Sequence, residues 1–250
     1  MKRLHGIAVL AIVAVTALAA SLSARAGAGG SPATPNWALV YVGDYSDKGL
    51  SHRDLFITTA NGSVTRQLTN DTLADDNPVW APDGSRIAFV RQQIAGYTSA
   101  VGGIYSIKPD GTGLTLLYDL SNANDNIGFD NSSGACMSWS PNGKKIVFPG
   151  WGPNFNGAQL YVLDVASGVV QNLTPVFGVI DARSPRWSPV LYSDAAGSHS
   201  RISFAGYDPG GSSGHELMVL DVTIGTDGTL TTGVRTLTAA TLDLLPKKKN

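Results

Sequence analysis

The feature that most constrains this chain is a unit that returns three times, a Trp followed by Ser or Ala and Pro, and in the first two copies by Asp or Asn and Gly. It reads Pro78-Val-Trp80-Ala-Pro-Asp-Gly84, then Met137-Ser-Trp139-Ser-Pro-Asn-Gly143, then Pro185-Arg-Trp187-Ser-Pro189. Behind each lies an apolar run ending in Phe, at Ile87–Val90, Ile146–Phe148 and Ile202–Phe204. Next comes a second apolar run, Gly103–Ile107, Gln159–Leu163 or Glu216–Leu220, and then a closing segment, Leu114–Leu117, Asn172–Thr174 or Thr236–Thr238. A partial unit precedes them. It has Trp37–Val42, Asp54–Ile57 and Gln67–Thr69, but no Trp-Ser-Pro segment.

Each piece has a physical reading. Pro82-Asp-Gly84 and Pro141-Asn-Gly143 predict tight hairpin turns, because Gly, Asn and Asp tolerate the positive φ such turns require. Runs such as Ile87–Val90 and Leu160–Leu163 predict short strands buried on both faces. No stretch beyond residue 26 has sustained helical periodicity. Four-stranded units at a spacing of roughly 50 residues predict an all-β chain of β-propeller blades, each sheet burying its faces on its neighbours. Trp80, Trp139 and Trp187 belong to the repeat and are expected in the core.

The recurring Pro-x-Trp-Ser-Pro-Asn-Gly, the apolar strand ending in Phe, the Ile-Tyr or Leu-Tyr strand and the closing Leu-Thr resemble the repeat of the TolB propeller family. The resemblance covers residues 36–246 and implies an exported protein with protein partners. It departs from the family pattern in two ways. Only about ten residues separate the expected signal cleavage site from the first strand, where TolB has an α/β domain, and three complete units and one partial unit fall short of the family's usual ring. The lead-in Asp243–Pro246 matches Asp181–Pro185, yet no Trp-Ser-Pro strand comes after it. Three arrangements fit: an open ring, a ring completed by a partner chain, or the N-terminal part of a longer propeller, which the intact lead-in favours.

The N-terminus divides the chain into four stretches. Residues 1–26 read as a signal peptide, with Lys2 and Arg3 before an apolar stretch and Ala24-Arg-Ala26 as the cleavage site. Residues 27–35 form a short linker, 36–246 the repeats and 247–250 a basic tail. The apolar stretch is shorter than a spanning helix needs, so no membrane anchor is expected once it is cleaved. The expected location is periplasmic or secreted. Cleavage at Ala26 leaves 15 basic against 19 acidic side chains, without a basic block apart from Lys247–Lys249, which excludes an electrostatic footprint for nucleic acid. The single cysteine, Cys136, cannot form an internal disulfide and reads as a small buried apolar side chain.

The chemistry points to binding rather than catalysis. Gly210–Gly214 matches a nucleophile-elbow string around Ser212, but it lies between two strands and lacks the helix an elbow requires. His52 and His215 fall in the loop joining the second and third strands of their units, with no third ligand specified by spacing, so no metal is assigned. The Asn/Asp-rich stretch from Asn122 to Gly128 has its Gly one place late for a calcium loop. No catalytic residue and no cofactor are expected. The candidate binding residues lie in the segments just after each second strand: Asp44 and Tyr45, Tyr97, Trp151 with Asn154 and Phe155, and Tyr207 with Asp208. All would project from one face of regular blades. Aromatics beside amides and carboxylates suit sugar rings or peptide side chains, so the expected partner is a protein or a cell-envelope polymer. The alternative is the N-terminal propeller of a larger secreted enzyme, a peptidase or a polysaccharide lyase.

Overall fold

The computed structural model describes residues 37–47, 50–71, 73–92, 102–120, 127–129, 137–152, 157–174, 180–195, 197–207, 215–225 and 230–236. The expected signal peptide and linker, Cys136, Ser212, the stretch Asn122–Asn126 and the basic tail lie outside these residues. The described strands form four consecutive antiparallel sheets, with no helix among them. Sheet 1 holds β1 (Trp37–Asp47), β2 (Leu50–Thr59) and β3 (Thr65–Gln67). Sheet 2 holds β4 (Ala74–Trp80), β5 (Ile87–Gln92), β6 (Gly102–Ile107) and β7 (Thr115–Asp119). Sheet 3 holds β8 (Gly128–Phe129), β9 (Ser138–Trp139), β10 (Lys145–Trp151), β11 (Gln159–Asp164) and β12 (Val170–Asn172). Sheet 4 holds β13 (Ile180–Trp187), β14 (Tyr192–Asp194), β15 (Gly197–Tyr207), β16 (His215–Ile224) and β17 (Leu230–Thr236).

The repeat motif makes the first hairpin of a blade. Ala81 N–H donates to the Arg86 carbonyl at 2.9 Å, and Ser140 N–H donates to the Lys145 carbonyl at 2.8 Å. Gly84 and Gly143 turn the chain at φ 69° and 67°, the left-handed region that a Cβ disfavours. The proline of Pro-x-Trp has its own consequence. A proline cannot donate to the ladder, and the residues before Pro78 and Pro185 take positive φ, Asn77 at 53° and Ser184 at 51°. The register slips there, between Asp76 and Val79 and between Arg183 and Arg186. A bulge at this point lets the strand carry a proline and still deliver its Trp to the core.

Inter-blade packing obeys one directional rule. In sheets 2, 3 and 4 the second strand turns its Ile and Phe toward the sheet before it: Ile87 and Phe89 pack with Leu55 and Ile57 of sheet 1, Ile146 and Phe148 with Val90 and Ile104 of sheet 2, and Ile202 and Phe204 with Leu160 and Val162 of sheet 3. The intervening positions turn to the sheet after it. The tyrosine of the third strand sits opposite that Phe in register, as Phe89↔Tyr105 and Phe148↔Tyr161, with ring centroids 6.0 and 5.7 Å apart. The recurring Phe and Ile-Tyr or Leu-Tyr are therefore two halves of one cross-strand aromatic pair. Trp139 and Trp187 are buried, as the repeat leads one to expect, whereas Trp80 is only half-buried, packed against the cluster between sheets 1 and 2. Trp139 Nε1–H donates to the Val79 carbonyl at 3.2 Å, joining sheet 3 to sheet 2.

The closing Leu-Thr also has a structural reason. Leu68 and Leu173 are buried, and their N–H groups donate to the Leu55 and Leu160 carbonyls, each at 2.8 Å. The adjoining Thr69 and Thr174 hydroxyls accept from Leu55 and Leu160 N–H at 2.9 and 3.0 Å. Two points differ from the sequence reading. In sheet 2 the closing leucine is Leu120, whose N–H donates to the Gly102 carbonyl at 2.9 Å, while Leu114 is exposed. A register shift between Ile104 and Tyr105 displaces the partner strand. In sheet 4 a strand that the repeat does not include, β14, pairs with β15 between the Trp-Ser-Pro segment and the apolar run Ile202–Phe204.

Candidate functional site

The candidate binding residues cluster by register at one end of the second strands. Gly43, Arg91, Gly150 and Gly206 occupy equivalent places, opposite Asp54, Gly103, Gln159 and Glu216 on the third strands. The sequence places the residues beyond them in loops. The structure continues the ladder through them instead: Asp44 pairs with Arg53 and Tyr45 with His52, Trp151 is the last residue of β10 and pairs with Gly128, and Tyr207 pairs with His215. Once two antiparallel strands are in register, each further pair adds ladder bonds at little further cost in entropy, so the hairpins outrun the apolar segments that signal them. Asp44 is exposed and Trp151 half-buried. Of Tyr45 and Tyr207 the strand backbone is described; Tyr97, Asn154, Phe155 and Asp208 lie outside the described residues.

His52 and His215 are likewise strand residues, not loop residues. His52 stands two places before Asp54, whereas His215 stands one place before Glu216. They are out of step in the repeat. Among the described residues no three His, Cys, Asp or Glu side chains are grouped to hold a metal ion.

At the same end, between sheets 1 and 2, lies a charged network that sequence reasoning missed. Arg91 occupies the place that is Gly in the other three blades. Its Nε and Nη2 donate to the two oxygens of the fully buried Asp75 at 2.7 and 2.8 Å, and Nη2 lies 2.9 Å from Asp71. The guanidinium also sits 5.5 Å from the ring centres of both Phe89 and Tyr105. Arg53 reaches from sheet 1 to Asp76 of sheet 2 at 2.7 Å. Asp54 accepts from Gln67 Nε2 at 3.1 Å and from the Thr69 hydroxyl at 3.4 Å. Burial raises the pKa of Asp75 against the opposing hydrogen bonds and charge of Arg91, and it raises Asp76 against the charge of Arg53. Asp54 is raised by burial, then by the charge of Asp75. The sequence signal was available: Arg91 is an arginine where the repeat has glycine, and the acids Asp75-Asp76 stand ahead of Pro78-Val-Trp80 where Ala182-Arg183 stands ahead of Pro185-Arg-Trp187.

Through Arg53 and Asp76 the network ties sheet 1 to sheet 2. A cleft of about 370 Å³ lies at the opposite end of the strands, between sheets 3 and 4, lined by Lys144, Lys145, Asp164 and Asp194 among others. Lys145 Nζ meets Asp164 there at 2.9 Å, and that hydrogen bond lowers the Asp164 carboxyl to about 2.

Four successive antiparallel sheets, stacked face to face by one repeated rule, decide the architecture. These are β-propeller blades. No family model matches the chain, and no curated protein matches it. Solved structures that match include TolB from Acinetobacter baumannii (20% identity, TM-score 0.46, covering 72% of this chain and 37% of that one) and a putative TolB from Agrobacterium tumefaciens (20%, 0.45, 80% and 61%). An oligogalacturonate lyase from Vibrio parahaemolyticus also matches (13%, 0.49, 80% and 48%). These are likenesses of fold, alongside the TolB-like repeat in the sequence. The chain spans between 37% and 61% of the lengths of these three.

Proposed function

We propose that the chain is an exported, non-catalytic propeller that binds a protein or cell-envelope polymer, in the periplasm or outside the cell, through the strand ends bearing Asp44, Tyr45, Trp151 and Tyr207. The observation that supports this reading is positional. In three blades the second strand carries Gly and then a polar or aromatic residue at one register place, Gly43-Asp44, Gly150-Trp151 and Gly206-Tyr207. At Gly43 the Phe56 ring packs where a Cβ would stand, and just beyond the glycine Asp44 is exposed and Trp151 half-buried. Aromatic anchors with adjacent polar groups are the usual composition of a recognition surface. Tyr97, Asn154, Phe155 and Asp208 would extend it.

The test measures retention of the purified chain on isolated peptidoglycan sacculi, a glycan array and immobilised envelope proteins, in parallel with the triple variant D44A/W151A/Y207A. At least one probe binds the parent chain, and the triple variant loses at least about tenfold, equivalent to about 1.4 kcal/mol. Lys144→Glu, in the cleft at the opposite end, leaves binding unchanged. Retention on none of the probes, equal retention of the triple variant, loss in Lys144→Glu, or shortening of a glycan or peptide probe by the chain would each overturn the reading, the last in favour of the enzyme alternative.

A further inference from the structure

Arg53 and Asp44 stand opposite each other on the sheet 1 ladder, and both fall on the face turned to sheet 2, in step with Leu55 and Ile57 on β2 and with Val40 and Val42 on β1. Directly opposed side chains of an antiparallel pair have Cβ atoms about 5 Å apart. Arg53 therefore has two carboxylates within reach, Asp44 across the strand pair and Asp76 across the sheet interface. It meets Asp76, with Nη1 2.7 Å from Oδ2. That contact is one of charge alone. Asp76 Oδ2 is buried and has no hydrogen-bond partner, so the guanidinium stands out of line with it, whereas the neighbouring Asp75 receives two directed hydrogen bonds from Arg91. Asp44 is exposed and, among the described residues, has neither an ion pair nor a hydrogen bond.

The surroundings of Asp76 favour a proton. Burial first, and then the like charges of Asp44 on β1 and Asp75 on β4, raise its carboxyl above the ordinary 3.8, with Arg53 on β2 opposing them. Among the other described side chains, Arg91 on β5 is engaged by Asp75 and Asp71, Asp54 on β2 bears on Asp75, and β9 brings no titratable group. A buried carboxyl takes up a proton in mildly acidic water where an exposed one keeps its charge. Once Asp76 is neutral, the nearest charge drawing the guanidinium is that of Asp44. We infer that Arg53 is a proton-controlled switch at the strand-end rim, held by Asp76 while that carboxyl is charged and by Asp44 once it is protonated. Acid then covers the free carboxylate of the rim; that this alters recognition rests on the rim being the binding surface proposed above. Protonating Asp76 does not itself unfold the chain. For a raised carboxyl the native state holds the proton more tightly than the unfolded chain, so stability gains as pH falls through the native value.

The Nε–H signal of Arg53 in a nitrogen-15 spectrum of the full chain, assigned by its loss in Arg53→Lys and followed from about pH 7 to about pH 4, tests the exchange. In the parent the signal moves with a midpoint above 3.8. In Asp76→Asn it holds the acid position throughout, because the amide carries no charge to attract Arg53. Asp44→Asn changes an exposed side chain and so does not depend on core packing; its signal still moves, but to a different acid position. A parent signal that stays fixed, Asp76→Asn keeping the neutral-pH position, or Asp44→Asn reaching the parent's acid position would each overturn the inference. The signal reports the partner of Arg53 and not a bound probe. Its failure leaves the rim reading standing, and a rim that retains no probe leaves the exchange standing.

Discussion

The ion pair between Lys145 and Asp164 offers the sharpest test of the energetics. Lys145 is buried where β10 begins, directly opposite Asp164 at the end of β11, and its ammonium lies 2.9 Å from the carboxylate. The same carboxylate accepts from the Ser167 backbone N–H at 3.0 Å and from its hydroxyl at 2.9 Å. These interactions hold the Asp164 carboxyl at about 2 against an ordinary 3.8, the Lys145 hydrogen bond contributing most. At about 1.4 kcal/mol per pH unit this corresponds to about 2 kcal/mol, which solvent screening of the part-exposed carboxylate reduces to about 1–2 kcal/mol. A depressed native pKa stabilises the fold above the unfolded pKa, and that contribution is lost as pH falls through the native value. Asp164→Asn removes the charge and nearly keeps the shape. Urea unfolding at about pH 7 should therefore show the variant about 1–2 kcal/mol less stable. The gap should close progressively between 3.8 and about 2, where the parent carboxyl takes up its proton and Lys145 faces a neutral partner in both proteins. A gap independent of pH, or no gap at neutral pH, would refute the assignment.

Two further substitutions probe the devices that join strands and blades. Arg91→Gly restores the residue found at that place in the other blades but strands the buried Asp75 carboxylate; unfolding should show a loss of about 3–5 kcal/mol. Adding Asp75→Ala recovers most of it, since Ala182 already stands five residues before the motif Trp in sheet 4, and a double variant no better than Arg91→Gly would contradict this. Thr174→Val leaves the buried Leu160 N–H without its acceptor and should lower stability by about 1–3 kcal/mol, while slow exchange of that amide, monitored by hydrogen exchange, is lost.

Much of the fold was legible because it depends on local chemistry. The Pro-Asp-Gly and Pro-Asn-Gly turns, the twofold burial of Ile87–Val90 and Leu160–Leu163, and the core Trp residues derive from φ preference and continuous hydrophobicity. What escaped depends on register. Leu120 replaces Leu114 as the closing leucine because of a shift between Ile104 and Tyr105, which no composition reveals. β14 lies in a Ser-, Ala- and Gly-rich stretch with no apolar alternation, and pairs only because β15 is already in place beside it. Arg91 and Asp75, sixteen residues apart in the chain, become partners only when β4 and β5 align. The candidate rim was half legible: Asp44, Trp151 and Tyr207 share the strand end that the repeat implies, but as ladder residues rather than loop residues.

The sequence by itself determined the kind of unit this protein repeats, since turn geometry, strand length and the Phe–Tyr pair are written within about 50 residues. Only the tertiary structure decided which copies of the same residue type are core. Tyr41 and Phe89, or Leu217 and Leu55, hold equivalent places in their blades, yet one of each pair meets solvent and the other a neighbouring sheet. Burial is a property of what stands next to a face, and a repeated sequence states the face without its neighbour.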